Sequence, residues 1–236
     1  MSAGRVLFGQ SYFLRFDPKL WQAMEPFPPL GTLYAASLLR QQGYEVAVFD
    51  AMLAESEALW DAALDRHRPA YAVLFEDNFN YLSKMCLSRM REAAFRMIRS
   101  SRERDVTVLV CGSDATDHAE SYIAEGAQFV IHGEGEATLS ELMNRLQERT
   151  ATPLEEIRGL TIAGEVLGRD TNVRTPPRAV LRDLDALPSP ARDLIDLEVY
   201  RQAWRRRHGH FALNMVTTRG CPFHCNWCAK PIWGQT

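Results

Sequence analysis

The chain has 236 residues, of which 46% are hydrophobic and 24% charged, and its formal net charge is −3. These values are typical of a soluble globular protein that is long enough for one large domain or two smaller ones. The slightly negative charge gives no general attraction to nucleic acid or to an anionic membrane, so we expect neither as a partner.

Residues 4–149 alternate short β-rich runs with longer helical segments, which predicts a doubly wound, parallel, five-stranded α/β sheet of the flavodoxin or Rossmann type. The predicted strands are 6–8, 45–49, 71–75, 106–110 and 128–131, and the predicted helices are 28–42, 55–67, 81–102, 118–125 and 136–149. Because ligands of such sheets bind where the parallel strands end, we expect a site at that edge.

The character of the sequence changes after residue 150. A small hairpin at 160–173 and the prolines at 176, 177, 188 and 190 indicate a linker on the surface rather than more of the sheet. A short helical stretch at 191–204 and a strand at 211–216 follow. We therefore divide the chain into a domain at 1–150, a linker at 151–195, and the start of a second domain at 196–236.

Three cysteines form the most informative motif of the chain. Cys221, Cys225 and Cys228 have the spacing C-x3-C-x2-C and follow Thr217-Thr218-Arg219-Gly220. Three thiolates on one loop suit an iron–sulfur cluster, and a four-iron cube would keep one iron open for a chelating small molecule. The alternative is a structural zinc site with His224 or a distant residue as fourth ligand. A zinc ribbon usually repeats its C-x2-C pair, and this chain has no second pair.

The cysteine loop resembles that of the radical S-adenosylmethionine (SAM) enzymes, including the aromatic Trp227 just before the third cysteine. The resemblance implies a [4Fe-4S] cluster on Cys221, Cys225 and Cys228, with SAM bound at the open iron and cleaved reductively to a 5′-deoxyadenosyl radical. It also implies an electron donor such as flavodoxin or ferredoxin and a small-molecule substrate. Thiolates that must stay reduced favour a cytoplasmic location.

Four further stretches resemble the cobalamin-binding radical SAM proteins and extend the likeness over almost the whole chain. They are 28–34 leading to 43–46 and Asp50, then 110–116, 132–139 and 187–193. The resemblance implies a cobalamin-binding domain that is followed by the first strand and cluster loop of a radical SAM (β/α) barrel. The residues that we predict to contact the cofactor are Gly112, Ser113, Asp114, Thr116, Gly133, Glu134 and Gly135.

Physical chemistry agrees with a ligand at these two glycine loops. Each loop follows a strand and precedes a helix, where glycine admits a bulky group and helix N-termini offer free N–H groups. For either loop alone, plain turn geometry is the alternative. The run Glu76-Asp77-Asn78, which follows the third strand, could hydrogen-bond corrin amides or a substrate at the same edge, or cap the next helix.

A histidine ligand for cobalt is not predicted. Cobalamin domains that use one carry D-x-H-x-x-G after the first strand, and nothing after Phe8 fits that pattern. The sequence 65–70 comes near it but lacks the glycine and precedes the third strand. We therefore expect cobalamin to bind without a histidine ligand, or not to bind at all.

The resemblance implies methyl transfer, or a radical rearrangement or cyclisation, on a small molecule, and we assign no catalytic residue. Because the chain ends eight residues after Cys228, we expect the N-terminal portion of such an enzyme, inactive by itself. One alternative is a methylthiotransferase, which would need three further cysteines where only Cys86 and Cys111 are present. Another is a non-catalytic cobalamin-binding or zinc-stabilised module.

Overall fold

The computed structural model describes residues 4–76 and 87–220, which contain strands β1–β7 and helices α1–α8. The strands are β1 (Val6–Gly9), β2 (Val46–Val48), β3 (Tyr71–Phe75), β4 (Thr107–Cys111), β5 (Phe129–Ile131), β6 (Leu160–Ile162) and β7 (Val173–Arg174). The helices are α1 (Pro18–Ala23), α2 (Leu30–Gln41), α3 (Ala58–His67), α4 (Leu87–Arg102), α5 (Ser113–Asp117), α6 (Ala119–Ala124), α7 (Glu136–Leu146) and α8 (Leu197–His208).

All seven strands form one sheet in the order β2-β1-β3-β4-β5-β6-β7. The first five are parallel, with Val6 of β1 opposite Val46 on one side and Tyr71 on the other. The order 2-1-3-4-5 reverses direction between β1 and β3, and at such a switch point the connections leave a crevice beyond the strand ends. The mostly parallel α/β architecture was therefore predicted correctly.

The predicted number of strands was wrong, because the hairpin extends the sheet instead of lying off it. β6 pairs antiparallel with β5, and β7 pairs antiparallel with β6. Leu160 and Ile162 of β6 are fully buried, and Thr161 between them is buried on the opposite face. An unpaired β5 would expose a row of backbone N–H and C=O groups, which β6 satisfies. The boundaries at 150 and 195 stay predictions.

Helices cover both faces of the sheet. α2 and α7 pack on one face, with Leu39 and Leu139 in its core, and α3–α6 pack on the other. On that second face Trp60 is buried, and its indole N–H donates to the Met97 carbonyl oxygen and to the Ser101 hydroxyl (both 3.1 Å). Among the helices of residues 4–76 and 87–220, none is long and apolar enough to cross a bilayer.

The loop after β1 contains a helix that was not predicted. The carboxylate of Asp17 accepts from the backbone N–H groups of Lys19 and Leu20 (both 3.1 Å), and Pro18 occupies the first helical position. An aspartate N-cap followed by proline is a common start signal, so α1 was readable from the sequence. The predicted helix at 118–125 corresponds to α6, whereas α5 before it was not predicted. The first part of the helix predicted at 81–102 lies outside the described residues.

α8 packs against the loops of the N-terminal half. The Tyr200 hydroxyl donates to the carboxylate of Asp50 (2.5 Å), and the Trp204 indole N–H donates to the Pro26 carbonyl oxygen (2.7 Å). The strand predicted at 211–216 is wrong, since 209–220 contains neither helix nor strand. A strand requires a hydrogen-bonding neighbour, and none of the strands within the described ranges pairs with this segment.

Candidate functional site

The candidate site lies at the edge where the parallel strands end, which we call the carboxyl edge. At the switch point, the backbone N–H of Ser11 after β1 donates to the carboxylate of Glu76 after β3 (3.0 Å). The Thr32 hydroxyl of α2 donates to the Phe75 carbonyl oxygen (2.6 Å). These bonds fix the start of α2 and the ends of two strands relative to one another, and Glu76 joins two of the loops at this edge.

The first glycine loop, after β4, uses two of its predicted contact residues internally. The Asp114 carboxylate accepts from both Nε (2.8 Å) and Nη2 (2.5 Å) of Arg91 and from the Tyr122 hydroxyl (2.8 Å). Although burial raises the pKa of Asp114, the hydrogen bonds from Arg91 and Tyr122 lower it overall. The Thr116 hydroxyl donates to the Gly112 carbonyl oxygen (2.8 Å). Asp114 thus ties the loop to α4 and α6.

The second glycine loop, after β5, contains two glycines with different surroundings. Both have positive φ angles, 78° at Gly133 and 89° at Gly135. A Cβ atom at Gly133 would meet nothing within 4 Å, whereas one at Gly135 would lie 2.4 Å from the Cys111 sulfur and 2.9 Å from Cζ of Phe75. Gly133 therefore leaves open space beside the backbone, while Gly135 lets the loop pack on the core.

His132 stands at the beginning of this loop in a partly buried position. Its Nε2 atom forms a hydrogen bond with the Thr161 hydroxyl (2.7 Å), and its Nδ1 atom is buried with no hydrogen bond to any described residue. Burial, with a smaller contribution from Arg174, lowers the pKa of His132 to about 4. The imidazole is therefore neutral at physiological pH.

Two carboxylates, Glu134 in the same loop and Glu136 just after it, form ion pairs with one arginine, Arg219. Nη2 of Arg219 donates to the Glu136 carboxylate (2.5 Å), and Nη1 lies 3.8 Å from that of Glu134. The Glu136 side chain is 3% exposed and that of Arg219 is 11% exposed. Burial raises the pKa of Glu136, and Arg219 opposes that shift. Sequence reasoning missed this ion pair, whose only signal was charge of opposite sign in 132–136 and 217–220.

A cavity of about 400 Å³ opens beside the second glycine loop. It is lined by residues 132–137, by Arg158 and by the segment 178–182. That segment is fixed over the loop because the Leu181 N–H donates to Glu134 (2.6 Å) and Nε of Arg178 donates to the Thr138 hydroxyl (2.7 Å). The predicted contacts Gly133, Glu134 and Gly135 line this cavity. Gly112 and Ser113 do not; they follow β4, the neighbouring strand.

Unpaired polar atoms at this edge test whether its residues suit an amide-rich cofactor. The side-chain amide nitrogen of Gln10 and one carboxylate oxygen of Glu136 are buried and have no hydrogen-bond partner among the described residues. A buried polar group without a partner is costly, so both atoms are suited to a polar ligand. One is a donor and the other an acceptor, as the amide side chains of a corrin require. The residues present fit that group.

The predicted cluster ligands Cys221, Cys225 and Cys228, and also Trp227, lie outside the described residues. Within 4–76 and 87–220, no group of three or more His, Cys, Asp or Glu side chains could hold a metal ion. Cys111 is fully buried at the end of β4, and burial raises the pKa of its thiol well above the usual value. It is a core residue and offers no thiolate for a second cluster.

Comparison with known proteins places the chain beside methyltransferases and a cyclase. No family model matches it. It is 27% identical over 208 residues to an uncharacterised methyltransferase of Pyrococcus horikoshii, covering 87% of this chain and 41% of that protein. It is 24% identical over 227 residues to the anaerobic magnesium-protoporphyrin IX monomethyl ester cyclase of a Synechocystis strain, covering 89% of this chain and 40% of that protein.

Two solved structures share the fold. One is the radical SAM methyltransferase TsrM of Kitasatospora setae, with a TM-score of 0.56 and 18% identity over 84% of this chain and 37% of that one. The other is OxsB, a cobalamin-dependent SAM radical enzyme, with a TM-score of 0.55 and 18% identity over 81% of this chain and 24% of that one. The chain thus spans less than half the length of each of these relatives.

Proposed function

We propose that this chain forms the cobalamin-binding domain and the cluster loop of a cobalamin-dependent radical SAM enzyme. The observation that carries the proposal is the motif Cys221-x3-Cys225-x2-Cys228, which follows directly on a segment anchored at the carboxyl edge by Arg219. The fold shared with a radical SAM methyltransferase and with a cobalamin-dependent SAM radical enzyme, over more than four-fifths of this chain, supports it. Methyl transfer or a radical cyclisation of a small molecule is the reaction class.

The three thiolates would hold a [4Fe-4S] cluster whose open iron binds SAM. When bound, the cluster, SAM and cobalamin supply the electron, the 5′-deoxyadenosyl radical and the methyl group of the proposed reaction. The chain's own residues bind and orient these groups. Gly133 leaves room beside the loop backbone, and Gln10 and Glu136 offer a donor and an acceptor at the same edge. We also propose a one-electron donor, such as flavodoxin or ferredoxin, as the partner that would reduce the cluster.

The proposal keeps cobalt without a histidine ligand. His132 is the histidine in the second glycine loop; its Nε2 atom is bound to the Thr161 hydroxyl, while its Nδ1 atom has no partner among the described residues and is the imidazole nitrogen that the experiment below must test. His67 ends α3, after which the chain runs into β3 at the opposite edge of the sheet. His118 stands between α5 and α6, with Nε2 3.8 Å from the Asp114 carboxylate. The absence of D-x-H-x-x-G after β1 supports cobalamin bound without a histidine ligand.

Anaerobic reconstitution of the protein with iron, sulfide and hydroxocobalamin tests the proposal. We expect a brown protein that absorbs near ~400 nm and contains about four irons per chain, together with cobalt that stays bound through gel filtration. Cys225→Ala should lose most of the iron, because two thiolates cannot hold the cube, and should keep its cobalt. Cys111→Ala is the matched control and should keep both metals.

Two results would contradict the proposal. Tightly bound zinc without iron uptake would replace the cluster by a structural metal site. Iron uptake without retention of cobalt would leave a radical SAM protein whose sheet does not bind cobalamin. In the cobalt(II) form, nitrogen coupling in the electron paramagnetic resonance (EPR) spectrum that disappears in His132→Gln, His67→Ala or His118→Ala would show that the histidine-free assignment is wrong.

A further inference from the structure

The Arg219 ion pair connects the residue two positions before Cys221 to the start of α7. The two partners are 83 positions apart in the sequence. Glu136 is the first residue of α7, and Gly135 before it supplies no side-chain cap. A carboxylate at this position interacts favourably with the positive end of the helix dipole. The guanidinium therefore meets a negative charge that the helix itself holds in place.

The burial of this pair argues that it fixes a position. Removing two charges from water costs about as much as their attraction returns, so a buried ion pair contributes little net stability and is better explained by specificity. Both side chains are largely buried, although 209–220 has no helix or strand that would bury Arg219 as a consequence of regular structure. The Glu134 carboxylate is a second negative charge near the guanidinium. One of its oxygens accepts from the Leu181 N–H, and the other lies 3.8 Å from Nη1 of Arg219.

The rest of this segment is held along the same edge. The Asn214 side-chain amide donates to the Pro28 carbonyl oxygen (2.8 Å) just before α2, and Nη2 of Arg192 donates to the Asn214 carbonyl oxygen (2.6 Å). Between Asn214 and Arg219 the chain thus passes from the start of α2 to the start of α7. These two helices lie on the same face of the sheet.

We propose that Arg219, through its ion pairs with Glu136 and Glu134, is a positioning residue. It fixes the start of the cysteine loop relative to the carboxyl edge, where cobalamin would bind. The inference rests on the proposed function for its purpose, because reacting groups held by the cysteine loop and by the carboxyl edge would need a defined separation. The evidence for it is a contact between residues of this chain. We call the ion pair of Arg219 with Glu136 and Glu134 the clamp, because it connects the residues just before the cysteine loop to the carboxyl edge of the sheet.

The first experiment examines the clamp without cofactors. In the full chain, the Nη–H protons of Arg219, assigned by their disappearance in Arg219→Lys, should exchange with water at least about tenfold more slowly than those of the exposed Arg207. Glu136→Gln should remove that protection. Glu141→Gln is the matched control, since its carboxylate pairs with Arg178 at an exposed position on the same helix and its loss should leave Arg219 unchanged.

The second experiment measures position in the loaded protein by pulsed EPR between cobalt(II) and the reduced cluster. Wild type and Glu141→Gln should give one narrow distance distribution, and Glu136→Gln and Arg219→Lys should each give a broad one. Arg219→Lys leaves the Glu136 carboxylate in place, so it should do this at unchanged iron and cobalt content. If Glu136→Gln does not fold, Arg219→Met combined with Glu136→Met keeps the buried volume and should also give a broad distribution. Unprotected Arg219 Nη–H protons in wild type, or an unchanged distribution in these variants, would overturn the inference. Failure of wild type to load iron or cobalt would refute the proposed function instead.

Discussion

At the scale of single residues, Gly133 and Gly135 lie two positions apart and have similar φ angles, but only Gly135 packs against the core. The sequence could identify the glycine loop, because its spacing after a strand is local information. It could not show that Gly135 packs against Cys111 and Phe75, or that Arg219 reaches Glu136, since both contacts depend on tertiary structure. The predicted contact Asp114 likewise proved to be engaged by Arg91, which a single sequence does not reveal.

The two glycines give a matched pair of substitutions. Gly135→Ala combines a positive φ with a Cβ 2.4 Å from the Cys111 sulfur, so we expect a loss in the free energy of unfolding of about 2–5 kcal/mol. Gly133→Ala has the backbone cost alone, about 1–2 kcal/mol. Urea denaturation of both variants measures the difference. Equal losses would mean that Cys111 and Phe75 move aside at little cost.

His132 predicts a pH dependence of stability. Its pKa falls from the ordinary value of 6.5 to about 4 in the folded chain, so between these values the unfolded state binds more protons. The stabilisation is complete above pH 6.5 and is lost as the pH falls toward 4. His132→Gln should therefore lose less free energy of unfolding than wild type between pH 7 and pH 5.

At the scale of elements, prediction succeeded where the burial pattern was unambiguous. β3 and β4 are apolar runs buried on both faces, which is the signature of a central parallel strand. β6 is only three residues long, and its place in the sheet depends on a tertiary pairing with β5, in which Ile162 lies opposite Phe129. The segment 211–216 has a strand-like pattern, yet Met215 is 78% exposed and no described strand lies beside it.

The contact between α8 and the end of β2 should contribute measurably to stability. Tyr200→Phe removes the hydroxyl that donates to the Asp50 carboxylate, whose pKa burial already raises. We expect a loss of about 1.5–3 kcal/mol, because the bond involves a charged acceptor that is left buried. Tyr44→Phe breaks a neutral bond to Asn144 and should cost about 0.5–1.5 kcal/mol. Urea denaturation compares them, and equal costs would indicate that Asp50 is protonated in the folded chain.

At the scale of the whole molecule, the sheet reaches further along the sequence than its parallel part. β5 is an inner strand only because the hairpin of β6 and β7 covers it. The sequence pattern showed where the parallel α/β unit lies, since each β-α repeat is local. It could not show that the polypeptide after 150 completes the sheet, because that depends on which edge is left open.

A fragment of residues 1–150 should consequently behave worse than the predicted domain boundary implies. It would expose the β5 edge and the apolar surface that Leu160 and Ile162 cover, so we expect aggregation or a lower melting temperature. A fragment of residues 1–178, which retains both hairpin strands, should remain monomeric. Analytical ultracentrifugation and thermal denaturation of the two fragments provide the comparison. If the 1–150 fragment is monomeric and melts at the same temperature as the 1–178 fragment, the predicted domain boundary at 150 is supported.

The bonds from α8 to Pro26 and Asp50 also have a consequence for synthesis on the ribosome. Trp204 follows Pro26 by 178 residues, which takes about 10–40 s at ~5–20 residues per second. Until α8 emerges, the loop between β1 and α2 lacks its covering, while the five parallel strands can already pair. We expect ribosome-bound chains arrested before α8 to be cleaved by protease within 10–28, and chains arrested well after it to resist. The nascent protein thus spends about 10–40 s with the loop between β1 and α2 uncovered.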